Sequence, residues 1–173
     1  MNNLYNSFKE ALGKVEKSYN KIIFVCIGTD RNIGDSYGPI VGSMLKQMKN
    51  IEVYGTLHEP VHATNLKNIL ENIDLNNNLI IAIDAALGDI DKVKKVVIRN
   101  EPVRPGSGVG KDLGSVGDIG IKGITGLKSD FACFGIIQNT RLSVVYDLAK
   151  LTFETIYRVL GEKQAENEIA CTK

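Results

Sequence analysis

Apolar positions along the chain follow two rhythms. Residues 4–17 place Leu4, Phe8, Leu12 and Val15 at helical spacing, which predicts an amphipathic N-terminal helix. Ile22 to Ile27 is a continuous, largely β-branched apolar run that ends at Gly28, the pattern of a central parallel strand buried on both faces. A polar loop from Thr29 to Gly38 leads to Pro39. Proline suits the first turn of a helix, where its missing N–H would find no partner anyway, and residues 40–48 continue at helical spacing. Ile51–Gly55 reads as a second strand and residues 64–73 as a second helix. Leu79 to Asp84 is a third buried strand, closed by a carboxylate. Val93–Arg99, residues 116–121 and residues 134–137 read as further strands, and a long helix is expected from Thr140 to about Leu160. Residues 161–173 form a polar tail expected to fray.

Strands alternating with helices at this spacing predict an α/β fold, a three-layer sandwich with a mostly parallel central sheet. No repeat or linker interrupts the pattern, so one domain is expected over residues 1–160.

Charge and composition narrow the function classes. The 173 residues carry 21 Lys+Arg against 20 Asp+Glu, a net charge of +1, which argues against an electrostatic nucleic-acid or membrane-surface binder. No apolar run approaches the ~20 residues that span a bilayer. The N-terminal segment has no apolar core of a secretory signal. Cys26, Cys133 and Cys171 are odd in number and widely spaced, so reduced thiols in a cytoplasmic setting are expected rather than a disulfide framework. Two histidines leave little for a metal or a histidine base. Of 17 glycines, eight fall between Gly106 and Gly126 and four between Gly28 and Gly42, where backbone must turn tightly or approach something closely.

In an open α/β sheet, ligands bind beyond the carboxyl ends of the strands at the switch in strand order. The polar residues there are Asp30, Asn32 and Asp35 after the first strand and His62 after the second. Asp84 closes the third, Arg104 and Ser107 follow the fourth, and Asn139 follows the last. If the first and third strands are neighbours, Asp35 and Asp84 converge. Two close carboxyl groups cannot both ionise cheaply, so one can serve as base on a water while its protonated partner polarises a carbonyl. The plainer alternative makes Asp35 a helix cap and Asp84 a turn residue. A dyad with pKa values of about 1.5 and 4.7 would be doubly ionised near neutral pH, so burial or Arg104 must hold one proton in place.

Three motifs come close to known chemistry and fall short. His58-Glu59-Pro60-Val61-His62 has the H-E-x-x-H spacing of zinc peptidases, but Pro60 breaks the helix that would put both histidines on one face. Pro105 to Asp112 resembles a phosphate-binding P-loop, yet proline replaces its first glycine and a carboxylate its magnesium-binding hydroxyl. Gly28, Gly34 and Gly38 lack the spacing of a dinucleotide fingerprint. Cys26, inside a strand, reads as an inert core thiol.

Taken together, Gly28 to Pro39, Ile83-Asp84-Ala85 and Arg104 to Gly110 resemble the spore germination proteases, which carry an Asp-x-x-Gly-Pro loop, an Asp-Ala strand end and a Pro-Gly-Ser-Gly-Val-Gly loop in this order. Over nearly the whole chain, including Glu59 to His62 and Asn139 to Ser143, the sequence resembles the YyaC-like sporulation proteins. A more distant similarity is to the hydrogenase maturation endopeptidases. The resemblance implies a phosphorylase/hydrolase-like fold and an aspartate-dependent endopeptidase of sporulation or germination, with Asp35 and Asp84 catalytic. It implies a site in the cytoplasm of the mother cell or forespore.

Substrate-binding roles are expected for Asp30, Asn32, His62, Arg104, Gly106, Ser107, Gly108, Gly110 and Asn139. The maturation endopeptidases hold nickel with two acidic residues and a histidine whose position here falls near Arg104, so no metal and no cofactor is expected. Arg104 is expected to pair with an aspartate or a substrate carboxylate. The expected partner is a peptide or a spore protein, not nucleic acid or membrane, and a homo-oligomer is compatible with the sequence. The alternative is an inactive peptidase-like protein that binds a peptide or spore factor. A third reading, a metal-dependent amidohydrolase, would use Asp35, Asp84 and His62.

Overall fold

The apolar runs at Ile22 and Leu79 become adjacent central strands. The computed structural model describes residues 2–49, 51–106, 114–128 and 140–171. In chain order these form α1 (Asn2–Gly13), β1 (Ile22–Cys26), a 3-10 turn (Ile33–Ser36), α2 (Tyr37–Leu45), β2 (Glu52–Tyr54), α3 (Leu66–Glu71), β3 (Leu79–Gly88), β4 (Val96–Arg99), β5 (Ile119–Leu127) and α4 (Leu142–Cys171). The sheet order is β2-β1-β3-β5-β4, with β4 antiparallel at one edge and the other pairs parallel. It is the expected α/β sandwich with a mostly parallel sheet. Ile22 pairs with Leu79 and Cys26 with Ile83, so the first and third strands are neighbours and the strand order switches between them.

Alternation along the strands separates two cores. Phe24, Cys26, Leu79, Ile81, Ile83, Ile119 and Ile121 face α1, α2 and α4, where Phe8, Tyr37, Val41, Leu45, Val145 and Ile156 complete the larger cluster. Ile23, Val25, Ile80 and Ala82 face the opposite way, against Val61, Leu66, Ile73, Val103 and Val116. Each fully buried large side chain contributes about 1.5–3 kcal/mol by leaving water.

Several boundaries differ from the sequence reading. β3 runs on to Gly88, four residues past Asp84. The strand expected over 116–121 is β5, starting at Ile119 and reaching Leu127. Helix α4 does not end near Leu160 but continues to Cys171. Its extension is held by the side chains of its first turn past Gly161: Glu162 accepts from the Tyr5 hydroxyl, and Lys163 donates to the Tyr19 hydroxyl at 2.7 Å. The strand expected over 134–137 and Cys133 lie outside the described residues. Among the described residues, no helix is long and apolar enough to cross a membrane.

Candidate active site

Asp35 reaches the sheet end because the chain after β1 folds back on itself. Ile27 donates its N–H to Ile83 O at 2.7 Å and Gly28 donates to Val61 O at 2.8 Å, pinning the start of the loop between two neighbours. Asp35 donates to Asn32 O at 3.0 Å, closing the 3-10 turn. Gly28 sits at φ +142°, and a Cβ there would lie 2.0 Å from Asp35 O. A Cβ on Gly38 would lie 2.1 Å from Ile27 O. The first glycine cluster therefore lets α2 and the turn lie directly on the end of β1. Its close approach is to the protein's own backbone, and its consequence is the placement of Asp35.

Asp84 points to the face of Ile80 and Ala82, since β3 alternates Ile81, Ile83 and Ala85 toward the larger core. It keeps some solvent contact at the mouth of the site but is ringed by protein. That desolvation, reinforced by the negative charge of Asp35, pushes its pKa up to about 8. The N–H of Ala85 and the ammonium of Lys122 act in the opposite sense. Burial also raises Asp35, against a hydrogen bond from the Thr29 N–H and the nearby imidazole of His62. The repulsion falls on the second ionisation: Asp35 loses its proton first, and Asp84 then ionises against that charge. Of the two, Asp84 is the carboxyl that burial and its neighbour's charge push furthest toward keeping its proton.

The other expected site residues divide. His62 is half-buried beside Asp35; its N–H donates to Asn65 Oδ1 at 2.8 Å, and its Nδ1 lies 2.9 Å from Thr64 Oγ1. The segment around it is a bend leading into the Ile27–Val61 bridge, not a zinc-peptidase helix, and His58 is exposed. Asn32 shapes the 3-10 turn through its backbone, with no side-chain cap. Asp30 lines a groove of about 770 Å³ between α2 and the start of α4, with Ile33, Ile40, Leu57 and Tyr146 among others but neither Asp35 nor Asp84. Arg104 is exposed and forms no ion pair with Asp35 or Asp84, so of its two expected partners it is the substrate carboxylate that stays open. It follows the Val103–Val116 bridge, which holds the base of the glycine-rich loop on the Asp84 face. Gly106 sits at φ +77° on that loop. Ser107, Gly108, Gly110 and Asn139 lie outside the described residues. Cys26 is fully buried and its thiol pKa is raised by desolvation, an inert core group.

The cation beside Asp84 is Lys122, which the sequence reading missed. Its Cα pairs with that of Asp84 across β3 and β5, so both side chains rise from the same face. The available signal was a single charged residue inside Ile-Gly-Ile-Lys-Gly-Ile-Thr-Gly-Leu, whose neighbours Ile121 and Gly123 are buried. Among the described residues, no group of three or more His, Cys, Asp or Glu side chains is arranged to hold a metal ion.

The fold is similar to two solved maturation proteases. One is a NiFe hydrogenase maturation protease, HycI, from Thermococcus kodakarensis KOD1, with a TM-score of 0.54 and 14% identity over 89% of this chain and 98% of that one. The other is a hydrogenase 2 maturation peptidase from the Thaumarchaeota archaeon SCGC_AB-539-E09, with a TM-score of 0.51 and 13% identity over 82% and 99%. At these identities the likeness is one of fold. In sequence, the uncharacterized protein YyaC of Bacillus subtilis (strain 168) is 44% identical over 155 residues, covering 87% of this chain and 72% of that protein. Residues 1–155 match the family described as protein of unknown function, DUF1256, and the chain belongs to that family.

Proposed function

We propose that this protein is a peptide hydrolase of sporulation or germination that cleaves with the Asp35–Asp84 pair. What supports this most is the placing of two carboxyl groups beyond the ends of neighbouring strands β1 and β3, close enough that the charge of Asp35, with burial, raises the pKa of Asp84 to about 8. The sporulation setting rests on the likeness of the Asp35 loop, the Asp84 strand end and the Arg104–Gly110 loop to the germination proteases. The similarity in fold to two maturation peptidases supports the reaction class.

In this reading the Asp35 carboxylate takes a proton from water as its oxygen attacks the peptide carbonyl, while the Asp84 carboxyl donates its proton to the carbonyl oxygen. The intermediate is a neutral geminal diol. It collapses as Asp35 passes its proton to the amide nitrogen and one diol hydroxyl returns a proton to Asp84. The C–N bond breaks, one water has been consumed, and both carboxyl groups regain their starting states. Activity rises as Asp35 deprotonates and falls as Asp84 ionises near pH 8.

The test is mass-spectrometric detection of new termini after incubation with extracted spore proteins and a mixed peptide library. The wild-type protein is expected to cut, with Asp35→Asn slower by at least about 100-fold. Cleavage undiminished in Asp35→Asn would sink the mechanism. Capture of a peptide by a wild-type protein that never hydrolyses it would assign the cleft to binding instead.

A further inference from the structure

Two carboxyl groups on one sheet end repel each other once both are ionised, and a nearby cation eases that second ionisation. Among the described residues Asp35 and Asp84 have no third acidic, histidine or thiol donor arranged with them. Lys122 already places an ammonium group on the Asp84 face, where a dication would meet a like charge. Its position is built by the sheet. Parallel pairing puts Asp84 and Lys122 directly opposite each other on strands about 4.8 Å apart. The pairing continues on both sides, Ile83 with Ile121 and Ala85 with Gly123, so neither residue can slip to the other face. Lys122 is half-buried between buried neighbours. It forms no salt bridge with Asp84 and acts on that carboxyl through space.

We infer that Lys122 is the positioning cation of the carboxylate pair, taking the electrostatic place of a metal ion and setting how readily Asp84 gives up its proton. The inference rests on the hydrolase reading for its purpose, but its electrostatic content stands apart from any substrate. Four described groups bear on the two carboxyls: Lys122 from β5 on Asp84, Asp35 from the 3-10 turn on Asp84, His62 after β2 on Asp35, and Tyr37 from α2, whose buried hydroxyl feels the Asp84 charge. Lys122 is the cation among them acting on Asp84. Without it, desolvation and Asp35 act on Asp84 with only the Ala85 N–H opposing them. The acid would then stay protonated to higher pH, holding its proton too tightly for transfer to a carbonyl oxygen.

The experiment follows the Asp84 carboxyl carbon by NMR across pH in the full ¹³C-labelled chain, with the signal assigned by its loss in Asp84→Asn. Lys122→Met is expected to move the Asp84 midpoint upward, by less than removal of the Asp35 charge moves it downward. Lys122→Gln, which keeps a polar side chain, is expected to do the same and serves if the methionine variant does not fold. Lys122→Arg is expected to leave the midpoint in place. With a cleavable substrate in hand, the alkaline limb of the rate profile moves up in step. An unmoved midpoint in the neutral variants would overturn the inference, as would an arginine variant that shifts as far as they do. Neither result depends on whether Asp35→Asn abolishes cleavage, so the two readings fail separately.

Discussion

On one face of the sheet, α1, α2 and α4 cover Phe24, Leu79, Ile81, Ile83 and Ile121 with a deep layer that includes Phe8, Tyr37 and Ile156. On the other face, the six-residue α3 and the segments around Val61, Val103 and Val116 cover Ile23, Val25, Ile80 and Ala82. β3 serves both, and its alternation decides what each receives: Ala85 goes to the thick side and Asp84 to the thin one. A carboxyl and an ammonium set into the thick side would have been sealed from water at a cost of several kcal/mol per ion. At the open end of the thin side they keep a path to solvent, and burial is sufficient to raise Asp84 without silencing it. The deeper packing and the candidate site thus occupy opposite faces of the same strands.

Substitutions that act on one face alone test that division. The largest effect expected is on chemistry: Asp35→Asn lowers cleavage by roughly 100- to 10,000-fold, while circular dichroism and the urea midpoint report an intact fold. Gly38→Ala strikes the scaffold. Its Cβ would stand 2.1 Å from Ile27 O, backbone that cannot yield without moving β1 against α2. It is expected to cost about 3 kcal/mol in urea denaturation and to displace Asp35 with it.

Asp84→Asn sharpens the comparison through pH. The folded pKa of Asp84, about 8, lies above the ordinary value of 3.8, so between these limits the native state holds a proton that the unfolded chain has released. Stability contributed by this group is full below pH 3.8 and is lost as pH rises toward 8. The asparagine variant escapes that loss. It is expected to gain on the order of 2 kcal/mol over wild type at pH 8 relative to pH 5, measured by urea unfolding at both values. The smallest effect belongs to Tyr37→Phe. It removes the 2.7 Å contact with Thr152 Oγ1, whose hydroxyl still donates to Leu148 O. A loss of about 1 kcal/mol with unchanged pH dependence of cleavage is expected.

What could be read from the sequence follows the same division. The runs Ile22–Ile27 and Leu79–Asp84 announce central strands, and a carboxylate closing such a run marks a sheet end. That is how Asp84 stood out, with Asp35 in the loop beyond its neighbour. Lys122 did not stand out, because Gly120, Gly123 and Gly126 dilute the apolar signal of β5. Gly123 is there for packing: a Cβ on it would press to 2.7 Å from the Tyr37 ring. Arg104 stands out through the family histidine position that falls near it, whereas Lys122 is brought opposite Asp84 by strand register, a long-range property. The polar composition after Leu160 predicts a frayed tail that starts at Gly161. Gly161 lies within α4, which the Glu162 and Lys163 contacts carry onward. The antiparallel direction of β4 is likewise set by its partner β5 and leaves no trace in a four-residue run.

The central claim is that Asp35 and Asp84 form one coupled pair with the proton on Asp84. Its most direct test is the NMR titration of the Asp84 carboxyl carbon in the wild-type protein and in Asp35→Asn. The account predicts a wild-type midpoint near 8 that falls clearly when the Asp35 charge is removed. A wild-type midpoint near the ordinary 3.8, or one that Asp35→Asn leaves unmoved, would contradict it.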